Sequence, residues 1–318
     1  MIKNKRTRGL VLFSGGLDSI LAAKILQEQK IEITPLCFES YFFSCDSARS
    51  AAKLNGLKLR VENISEEHLK IVKNPRYGRG AAANPCIDCH LLMLKTAKRI
   101  MDKEGFDFIA TGEVMGQRPM SQNRQSLEII DRQSGLAGEI LRPLSAKLMA
   151  PAVAETEGLV NRDALYGLSG RSRQGQLELA KKFGVKNIPQ PGGGCILTDS
   201  DYGRRLKELV INYPDFGGDD AQILRFGRVA WENNLLIVIA RDENDCRQLE
   251  AAAKKGDWLF MPQNFSGPTV LIRQFGKKIG QGETLTNSDK IKQMGREYVL
   301  RHSKKLPPSP KISTTDIR

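Results

Sequence analysis

A short segment near the start of the chain has the residue types needed to hold a phosphate group: Ser14-Gly15-Gly16-Leu17-Asp18-Ser19. An apolar run from Leu10 to Phe13 precedes this segment, and a helix-like stretch from Ile20 to Gln29 follows it. A strand, a glycine turn and a helix start leave backbone N–H groups that can bind an anion. An ordinary glycine turn is the alternative, but the flanking strand and helix favour a nucleotide site.

This segment lacks the Gly-Lys-Ser/Thr ending of the P-loop kinases and GTPases, whose lysine reaches the outer phosphates of ATP. A different cleavage of ATP, between the α and β phosphates, is therefore indicated. The segment resembles the SGGxDS loop of the pyrophosphate-loop (PP-loop) ATP pyrophosphatases, which grip the leaving pyrophosphate and transfer AMP to a substrate oxygen. The resemblance implies that ATP is bound, that Asp18 faces Mg²⁺, and that phosphate is held by Ser14, Gly15, Gly16 and Ser19.

Six cysteines form the second chemically suggestive feature, and two of them stand in the CxxC segment Cys86-Ile-Asp-Cys89-His90. In a reducing compartment such cysteines are expected to be reactive, metal-bound or buried rather than disulfide-linked. A c-type haem attachment would need export, and the chain shows no export signal. A thioredoxin-like role would need a different fold. A zinc site is compatible with the ligand types but needs a fourth ligand and usually a second paired motif.

Cys195 supplies a third thiol after the glycine run Gly192-Gly193-Gly194. Glycines at such a bend let the backbone bring a sulfur close to a ligand. Three thiolates at Cys86, Cys89 and Cys195 suit an iron-sulfur cluster or zinc. On a four-iron cluster, three cysteine ligands leave one iron open for chemistry.

Four motifs together resemble the tRNA-thiolating branch of the PP-loop family. They are SGGLDS, NPCIDCH around Cys86, TGEVMGQRPMSQ from Thr111 to Gln122, and the GGGC that ends at Cys195. The pattern is most similar to the iron-sulfur-dependent, ThiI-like tRNA 4-thiouridine synthetases. The resemblance implies a [4Fe-4S] cluster on the three cysteines, with Zn²⁺ as the alternative. It also implies nucleotide contacts from Cys37, Phe38, Thr111, Gly112 and Gln117, although burial in the core explains Cys37 and Phe38 equally well.

The reaction implied by this resemblance is adenylation of a uracil carbonyl oxygen followed by sulfur insertion, with Asp18, Cys86, Cys89 and Cys195 as its catalytic residues. The chain has only three histidines, so positioning and electrostatics are expected to dominate over histidine acid–base chemistry. Similarity to the ThiI-like enzymes favours 4-thiouridine. Three alternatives stay open: tRNA 2-thiouridine synthesis, an amide-forming PP-loop ligase, and a non-catalytic RNA-binding protein.

Some family features are missing from the pattern. The longer ThiI proteins carry an RNA-binding region before the PP-loop domain, and some carry a rhodanese domain after it. Neither is recognisable in this sequence, so sulfide or a cysteine desulfurase is expected as the sulfur donor. The C-terminal region, including Asn264 to Arg273, faintly resembles the RNA-binding domain of NFACT proteins. A homodimer is compatible with the sequence.

The charge distribution predicts a polyanionic partner, which the resemblance identifies as tRNA. Lys and Arg number 49 against 36 Asp and Glu, for a net charge of +13. From Leu271 to Arg318 there are 11 basic residues against four acidic ones, which places +7 of that charge in the last 48 residues. A solvated helix face with a basic tail is the alternative. Loop arginines are further candidates for tRNA phosphate contacts: Arg76, Arg79, Arg171 and Arg173.

Size and hydropathy set the remaining limits. A chain of 318 residues with 40% hydrophobic residues can form one large or two moderate cores. The longest apolar runs, such as Leu235 to Ala240, are far below the roughly 18 residues needed to cross a bilayer. No signal-peptide core follows the basic N-terminus. We therefore expect a cytoplasmic protein without a membrane partner.

Apolar runs alternate with helical patterns in the first part of the chain, as in parallel α/β sheets. The sequence predicts a PP-loop domain over residues 1–214, with strands and helices at Gly9–Phe13, Ser19–Gln29, Ile31–Phe38, Cys45–Leu54, Lys58–Asn63, Ile87–Lys103 and Phe106–Ala110. Because ligands bind beyond the carboxyl ends of parallel strands, the loops 14–18, 37–44 and 111–122 are the expected binding loops. Further helices are expected over Glu155–Gly184 and Ser200–Ile211.

A smaller α+β domain is predicted over residues 215–318 and is expected to bind RNA. It ends in a basic helix and a Pro-rich tail, Lys305–Pro310. Its predicted strands are Ala221–Arg225, Arg228–Trp231, Leu235–Ala240, Trp258–Met261 and Thr269–Ile272, with a helix at Glu243–Lys254.

Overall fold

The computed structural model of the chain describes residues 6–190, 194–276 and 287–317. The chain divides into two units, Met1–Ile196 and Leu197–Arg318. The division falls before the predicted helix Ser200–Ile211, which the sequence assigns to the first domain. The domain limits 1–214 and 215–318 stay a prediction. Several residues used in the sequence analysis lie outside the described residues: Gly192, Gly193, Lys277, Lys278, Glu283 and Arg318.

The first unit alternates strands and helices, as the sequence predicts. Each predicted strand and helix up to residue 110 is confirmed within two residues at either end. Three further elements of this unit, at Ser65–Lys73, Arg124–Ser134 and Ile140–Leu141, were not predicted. The unit consists of β1 (Arg8–Leu12), α1 (Leu17–Glu28), β2 (Glu32–Glu39), α2 (Asp46–Leu54), β3 (Arg60–Asn63), α3 (Ser65–Lys73), α4 (Cys86–Glu104), β4 (Phe108–Ala110), α5 (Arg124–Ser134), β5 (Ile140–Leu141), α6 (Val153–Thr156) and α7 (Gln174–Lys182).

All five strands of this unit run parallel, in the order β3-β2-β1-β4-β5. The segment Ser14–Ser19, the phosphate loop, follows the central strand β1. The other two predicted binding loops follow its neighbours β2 and β4. Parallel neighbours end at the same edge of a sheet, so the three loops share one edge. This arrangement confirms the predicted α/β fold class with a parallel sheet.

Apolar side chains on both faces of the sheet position that edge. Leu17, Leu21 and Ile25 recur at helical spacing along α1 and lie in one cluster with Val11 of β1. On the other face, Leu91 and Leu94 of α4 lie in one cluster with residues of β1 and β4. Each fully buried leucine contributes about 1.5–3 kcal/mol relative to an exposed one, so both helices are firmly held.

The predicted helix over Glu155–Gly184 is wrong for most of its length. Only α6 and α7 are α-helical there, with a short 3₁₀ turn at Arg162–Ala164 between them. Gly158 and Gly170 adopt positive φ angles of 71° and 80°, which interrupt helical geometry. Between α6 and α7, apolar residues are buried although the backbone that carries them is irregular. Their spacing in the sequence therefore resembles that of a helix.

The second unit is an antiparallel sheet with helices. Its strands lie in the order Ile312–Asp316, Asp257–Pro262, Val270–Gln274, Leu235–Ile239 and Arg228–Glu232, and every pairing is antiparallel. This agrees with the predicted smaller α+β domain. The elements are α8 (Ser200–Asn212), α9 (Gly218–Ile223), β6 (Arg228–Glu232), β7 (Leu235–Ile239), α10 (Glu243–Ala252), β8 (Asp257–Pro262), β9 (Val270–Gln274), α11 (Ser288–Arg301) and β10 (Ile312–Asp316).

Two predictions for this unit need correction. The segment Ala221–Arg225 is not a strand, since α9 covers Gly218–Ile223 and Asp220 accepts a hydrogen bond from the Gly217 N–H (2.7 Å) at its start. A short apolar run fits strand or helix equally, so periodicity alone could not decide. The tail after the Pro-rich segment also forms the strand β10, which pairs with β8. Its polar composition suits a half-exposed strand at the edge of a sheet.

No helix among the described residues is long and apolar enough to cross a membrane.

Candidate functional site

The phosphate loop between β1 and α1 has free capacity for an anion. Gly16 caps α1 in an extended conformation and, having no side chain, makes no capping hydrogen bond to the N–H groups that begin this helix. Ser19 Oγ donates to the Gly16 carbonyl (2.8 Å), and the Gly16 N–H donates to Ser14 Oγ (3.3 Å). The helix dipole and the uncapped N–H groups together favour a phosphate at this position.

Gly15 has two reasons to be glycine. Its φ angle of 77° lies in the left-handed region that side chains rarely adopt. A Cβ at this position would also lie 2.5 Å from the carbonyl carbon and oxygen of Ser47 in α2. A Cβ added to Gly16 would meet Ser14 Oγ at 3.4 Å as its nearest atom, so Gly15 is the more constrained of the two glycines.

Gly112 brings the loop after β4 against the phosphate loop. A Cβ on Gly112 would lie 2.6 Å from the Ser19 nitrogen and 2.7 Å from the Asp18 carbonyl carbon. Only a residue without a side chain therefore permits this approach. The preceding Thr111 is tied to the sheet, since its N–H donates to the Leu141 carbonyl (2.9 Å).

Asp18 lies between the two loops and has an unused oxygen. Gln117 Nε2 donates to Asp18 Oδ2 (3.0 Å). Two buried oxygen atoms, Asp18 Oδ1 and Gln117 Oε1, have no hydrogen-bond partner among the described residues. Burial raises the pKa of Asp18, while the Gln117 hydrogen bond and the charge of Arg173 lower it. Unpaired carboxylate and amide oxygens are the ligand types that Mg²⁺ takes, so this donor set fits the predicted cation.

Gln176 of α7 belongs to the same cluster and was missed by the sequence analysis. It is 1% exposed, and its side-chain amide lies close enough to Asp18 to lower the pKa of that carboxyl. Its buried Nε2 has no hydrogen-bond partner within the described part of the chain. A glutamine in a surface-like helical pattern gives no signal of this role, because only the tertiary contact of α7 with α1 brings it to Asp18.

The three cysteines of the predicted cluster site lie near one another. Cys86 begins α4, Cys89 follows one turn later, and Cys195 lies just before the end of the first unit. Burial raises the pKa of the Cys89 thiol well above its usual value, and the charges of Cys195, Cys86 and Asp88 raise it further. The structure therefore brings Cys195 within electrostatic range of Cys89 across 106 residues of sequence.

Neighbouring polar residues hold the CxxC turn in place. Asn84 Nδ2 donates to Cys86 Sγ (3.1 Å). Asp88, between the two cysteines, accepts hydrogen bonds from the backbone N–H groups of Arg76 (3.2 Å) and Tyr77 (3.0 Å). These contacts give structural roles to Asn84 and Asp88 in the NPCIDCH motif.

The donor set fits soft metals but not an evident single-ion site. Within residues 6–190, 194–276 and 287–317, no three His, Cys, Asp or Glu side chains are arranged around one metal ion. A cluster differs from a single ion because each cysteine binds its own iron. Thiolates are ligands for zinc and for iron-sulfur clusters alike, so the choice between them stays a prediction.

A buried ionic network adjoins the CxxC turn. Arg142, 3% exposed, pairs with Glu113 (Nε to Oε2, 2.9 Å) and with Asp131 (Nη2 to Oδ1, 2.6 Å). Glu113 Oε1 also contacts His90 Nδ1 (2.9 Å), and Thr111 Oγ1 donates to Glu113 Oε2 (3.0 Å). Burial alone would raise the pKa of Glu113, but Arg142 and His90 overcome this and lower it to about 2. Glu113 is thus an ionised carboxylate in the core.

Cys37 and Phe38, the candidates for adenine contact, are both 5% exposed and pack in hydrophobic clusters. Only their backbone would be available to a nucleotide, and that contact stays a prediction. Cys37 forms a disulfide with Cys45, whose Cα lies 6.1 Å away. The expectation that the cysteines are not disulfide-linked is therefore wrong for this pair, because the loop after β2 turns back to α2 and places two buried thiols together.

The loop arginines predicted to meet tRNA phosphates have different surroundings. Arg79 donates to the carbonyls of Val72 (2.8 Å) and Lys73 (3.0 Å), and Arg76 stacks over Tyr77. Arg171 is exposed, whereas Arg173 is half-buried, donates to the Pro189 carbonyl (3.3 Å) and acts electrostatically on Asp18. Arg173 is therefore better placed for the phosphates of a nucleotide, and Arg171 for an external polyanion.

Comparisons with known proteins agree with these motifs. A family model described as thiamine biosynthesis protein (ThiI) matches residues 5–148. A tRNA-specific 2-thiouridylase MnmA from Caldicellulosiruptor saccharolyticus is 27% identical over 228 residues, which cover 63% of this chain and 58% of that protein. A probable tRNA sulfurtransferase from Finegoldia magna is 31% identical over 150 residues, covering 44% of this chain and 36% of that protein.

Among solved structures, a 4-thiouridine synthetase in complex with RNA and ATP has 20% sequence identity and a TM-score of 0.36, covering 68% of this chain and 53% of that one. The chain spans between 55% and 59% of the length of the first three curated relatives that it matches.

Proposed function

We propose that this chain catalyses ATP-dependent thiolation of a tRNA uridine, because its first unit matches the ThiI family model and the chain is similar to tRNA-thiolating proteins. One observation carries the proposal: a phosphate loop with an unpaired acidic oxygen and a group of three neighbouring cysteines lie in the same unit. An amide-forming ligase would need the first feature and not the second. A non-catalytic RNA-binding protein would need neither.

The chemistry explains why both features are required. A uracil carbonyl oxygen is a poor leaving group, so sulfur cannot displace it directly. Transfer of AMP to that oxygen converts it into a phosphate ester that departs as AMP when sulfur attacks the ring carbon. The target base must first leave its stack in the tRNA, because the ring carbon is inaccessible within a helix.

The adenylation half of the reaction is assigned to the phosphate loop. Ser14, Gly15, Gly16 and Ser19 would hold the pyrophosphate, whose negative charge the α1 dipole stabilises as it departs. Asp18 Oδ1 and Gln117 Oε1 would hold Mg²⁺, which neutralises charge on the phosphates when bound. Thr111 and Gly112 would keep the neighbouring loop close enough to complete the cleft.

The sulfur-insertion half is assigned to Cys86, Cys89 and Cys195. When bound to three thiolates, a [4Fe-4S] cluster leaves one iron with an open position for a sulfur ligand. The chain itself would hold the cluster through α4 and the loop at Cys195, with Asn84 and Asp88 fixing the turn. Sulfide or a cysteine desulfurase would supply the sulfur. A homodimer stays a prediction, and a tRNA substrate is consistent with a cytoplasmic location.

The position of sulfur insertion has two candidates. The TGE…GQ…SQ motif and the ThiI family model favour carbon 4 and hence 4-thiouridine. The MnmA relatives, named as 2-thiouridylases, favour carbon 2. We propose 4-thiouridine, since the three-cysteine pattern belongs with the ThiI-like group.

Mass spectrometry of nucleosides from tRNA tests the proposal. A strain lacking this gene should lose one thiolated uridine, and the missing nucleoside identifies the ring position. Wild type and Cys246→Ala should restore it, whereas Cys86→Ala, Cys89→Ala and Cys195→Ala should not. Cys246 is the matched control because it lies in the second unit, on α10. Restoration by Asp18→Ala would instead support the non-catalytic alternative.

Metal analysis of anaerobically purified protein tests the cofactor separately. About four irons per chain, lost in the three cysteine variants, would support the cluster. One zinc and no iron would contradict it and leave the adenylation half of the proposal standing.

A further inference from the structure

We propose that Glu113 is a positioning residue that sets the spacing between the phosphate loop and the cysteine-bearing turn of α4. The inference rests on the proposed function, because it concerns how the two halves of that reaction are held together. Glu113 has no place in the adenylation or sulfur-insertion roles assigned above. It was not among the candidate site residues of the sequence analysis.

Two consecutive residues after β4 contact the two halves of the site. Gly112 packs on the backbone of Asp18 and Ser19, so that an added Cβ would lie 2.6–2.8 Å from their atoms. Glu113, the next residue, contacts His90 Nδ1 through Oε1 at 2.9 Å. The distance from the phosphate loop to α4 is therefore spanned by one peptide unit and one glutamate side chain.

His90 transmits this contact to the cysteines. It follows Cys89 directly and stands four residues after Cys86, so it lies one helical turn from Cys86 on the same face of α4. A shift of His90 would carry the first turn of the helix with it. The carboxylate also fixes the ring, because an ionised glutamate accepts a hydrogen bond and Nδ1 must then carry the proton.

The remaining partners of Glu113 make it a rigid spacer. Its Oε2 accepts hydrogen bonds from Arg142 Nε (2.9 Å) and Thr111 Oγ1 (3.0 Å). Arg142 is held in turn by two hydrogen bonds to Asp131, of 2.6 and 2.9 Å. Both Glu113 and Arg142 are nearly inaccessible to solvent, so these charges have no water to replace a lost partner.

The expected consequence is specific to one half of the reaction. The adenylated uridine must lie near both the phosphate loop and the cysteines, and a displacement of about 1 Å can reduce a rate about 100-fold. Loss of the Glu113–His90 contact moves the cysteine turn but leaves Gly112 against the phosphate loop. Adenylation should therefore continue while sulfur insertion fails.

Two variants and one control test this in the full-length protein, supplied with ATP, Mg²⁺, sulfide and an unmodified tRNA transcript. Glu113→Asp keeps the charge but withdraws the carboxylate by one methylene from both His90 and Arg142. His90→Ala removes the partner at a half-buried position and spares the core. Asp131→Asn perturbs the same network without touching His90. Pyrophosphate release and thiouridine formation are measured together, with the melting temperature of each variant.

Glu113→Asp and His90→Ala should lower thiouridine formation about 10- to 100-fold and change pyrophosphate release less than about 3-fold. Asp131→Asn should leave the ratio of the two products unchanged even where it lowers the melting temperature. Equal losses of both products in the two variants, or normal thiolation by His90→Ala, would overturn the inference alone. A wild-type protein that forms no thiouridine would overturn the proposed function as well.

Discussion

Gly112 lies in direct backbone contact with Ser19, and a single added methyl group would collide with the Ser19 nitrogen at 2.6 Å. The contact fixes the loop after β4 against the loop after β1, so neither loop can shift towards the other on this side of the proposed nucleotide site. Neither residue can move away easily. Ser19 lies within α1, and Gly112 follows Thr111, which is hydrogen-bonded to β5.

Gly112→Ala should therefore weaken ATP binding. Overpacking of this kind costs about 1–3 kcal/mol, which corresponds to about a 5- to 150-fold loss of affinity if the phosphate loop is displaced. Titration calorimetry with a non-hydrolysable ATP analogue measures it. Gly276→Ala is the matched control, since a Cβ there meets no atom of the described residues within 4 Å. Equal affinities for the two variants would show that the contact does not shape the site.

Asp18→Asn should separate activity from stability. Burial raises the pKa of Asp18. Above that raised pKa, the ionised side chain destabilises the folded state. Below the ordinary value of 3.8, the side chain is protonated in the folded and the unfolded chain alike, so this destabilisation is absent. Without Mg²⁺ at neutral pH, the variant should be at least as stable as wild type towards denaturant. Pyrophosphate release should fall about 100-fold. A less stable variant would contradict the unpaired state of Oδ1.

His68 should make the protein sensitive to acid. Its side chain is 0% exposed between Phe42 and Phe43, and burial lowers its pKa from 6.5 to about 4. The unfolded chain binds a proton below about pH 6.5 and the folded chain only near pH 4, so stability falls as the pH drops through this range. The loss approaches about 3 kcal/mol.

Denaturant unfolding from pH 7 to pH 4 checks this expectation. His68→Leu should flatten the pH dependence over that interval, although loss of the contact with Ser40 Oγ (2.9 Å) affects the absolute stability. An unchanged slope in the variant would mean that other groups cause the acid sensitivity.

Arg273 and Arg296, both counted in the basic C-terminal region, should respond differently to substitution by alanine. Arg273, 3% exposed, pairs with Asp220 (2.8 Å) and Asp257 (2.6 Å) in the core of the second unit. Arg273→Ala leaves the buried Asp257 carboxylate without its cationic partner and should lower the free energy of unfolding by about 3–5 kcal/mol. Arg273 is thus excluded from the predicted RNA-binding charges.

Arg296, exposed on α11, is the matched partner for this experiment. Arg296→Ala should change the free energy of unfolding by less than about 0.5 kcal/mol. If α11 contacts tRNA, the same variant should weaken binding and reduce the salt slope by about one. An unchanged salt slope would place the tRNA contacts elsewhere.

The parallel sheet and its loops could be predicted because the relevant signals are local. SGGLDS lies between an apolar strand and a helix. The other predicted strands of the first unit are short apolar runs with clear boundaries in the sequence. Elements built from polar residues gave no such signal. β10 was missed because three of its five residues are Ser or Thr, and α3 because its apolar residues are few.

The contacts that complete the site depend on tertiary packing, and the sequence could not show them. Gln176 reaches Asp18 only because α7 packs on α1. Glu113 lies within a recognised motif, yet its partner Arg142 is 29 residues away and has no motif of its own. The disulfide of Cys37 could not be predicted, because the position of Cys45 depends on the turn that follows β2.

The Cys37–Cys45 disulfide should be detectable by counting thiols. Four cysteines lie outside it, so denatured, metal-free protein should react with four equivalents of a thiol reagent before reduction and six after. Closing a loop this short stabilises a protein by about 2–3 kcal/mol, and Cys45→Ser should lose about that amount. Six reactive thiols in protein purified without reductant would show that the bond is absent.

This disulfide also sets a limit on how the protein can be handled at the bench. The cysteines at 86, 89 and 195 need protection from air, and the usual remedy is an excess of dithiol. The same reagent can open the ring between Cys37 and Cys45, next to α2, whose backbone meets Gly15. We therefore expect a fully reduced preparation to keep these three thiols and still lose affinity for ATP. An oxygen-free atmosphere without added thiol is the condition that preserves both.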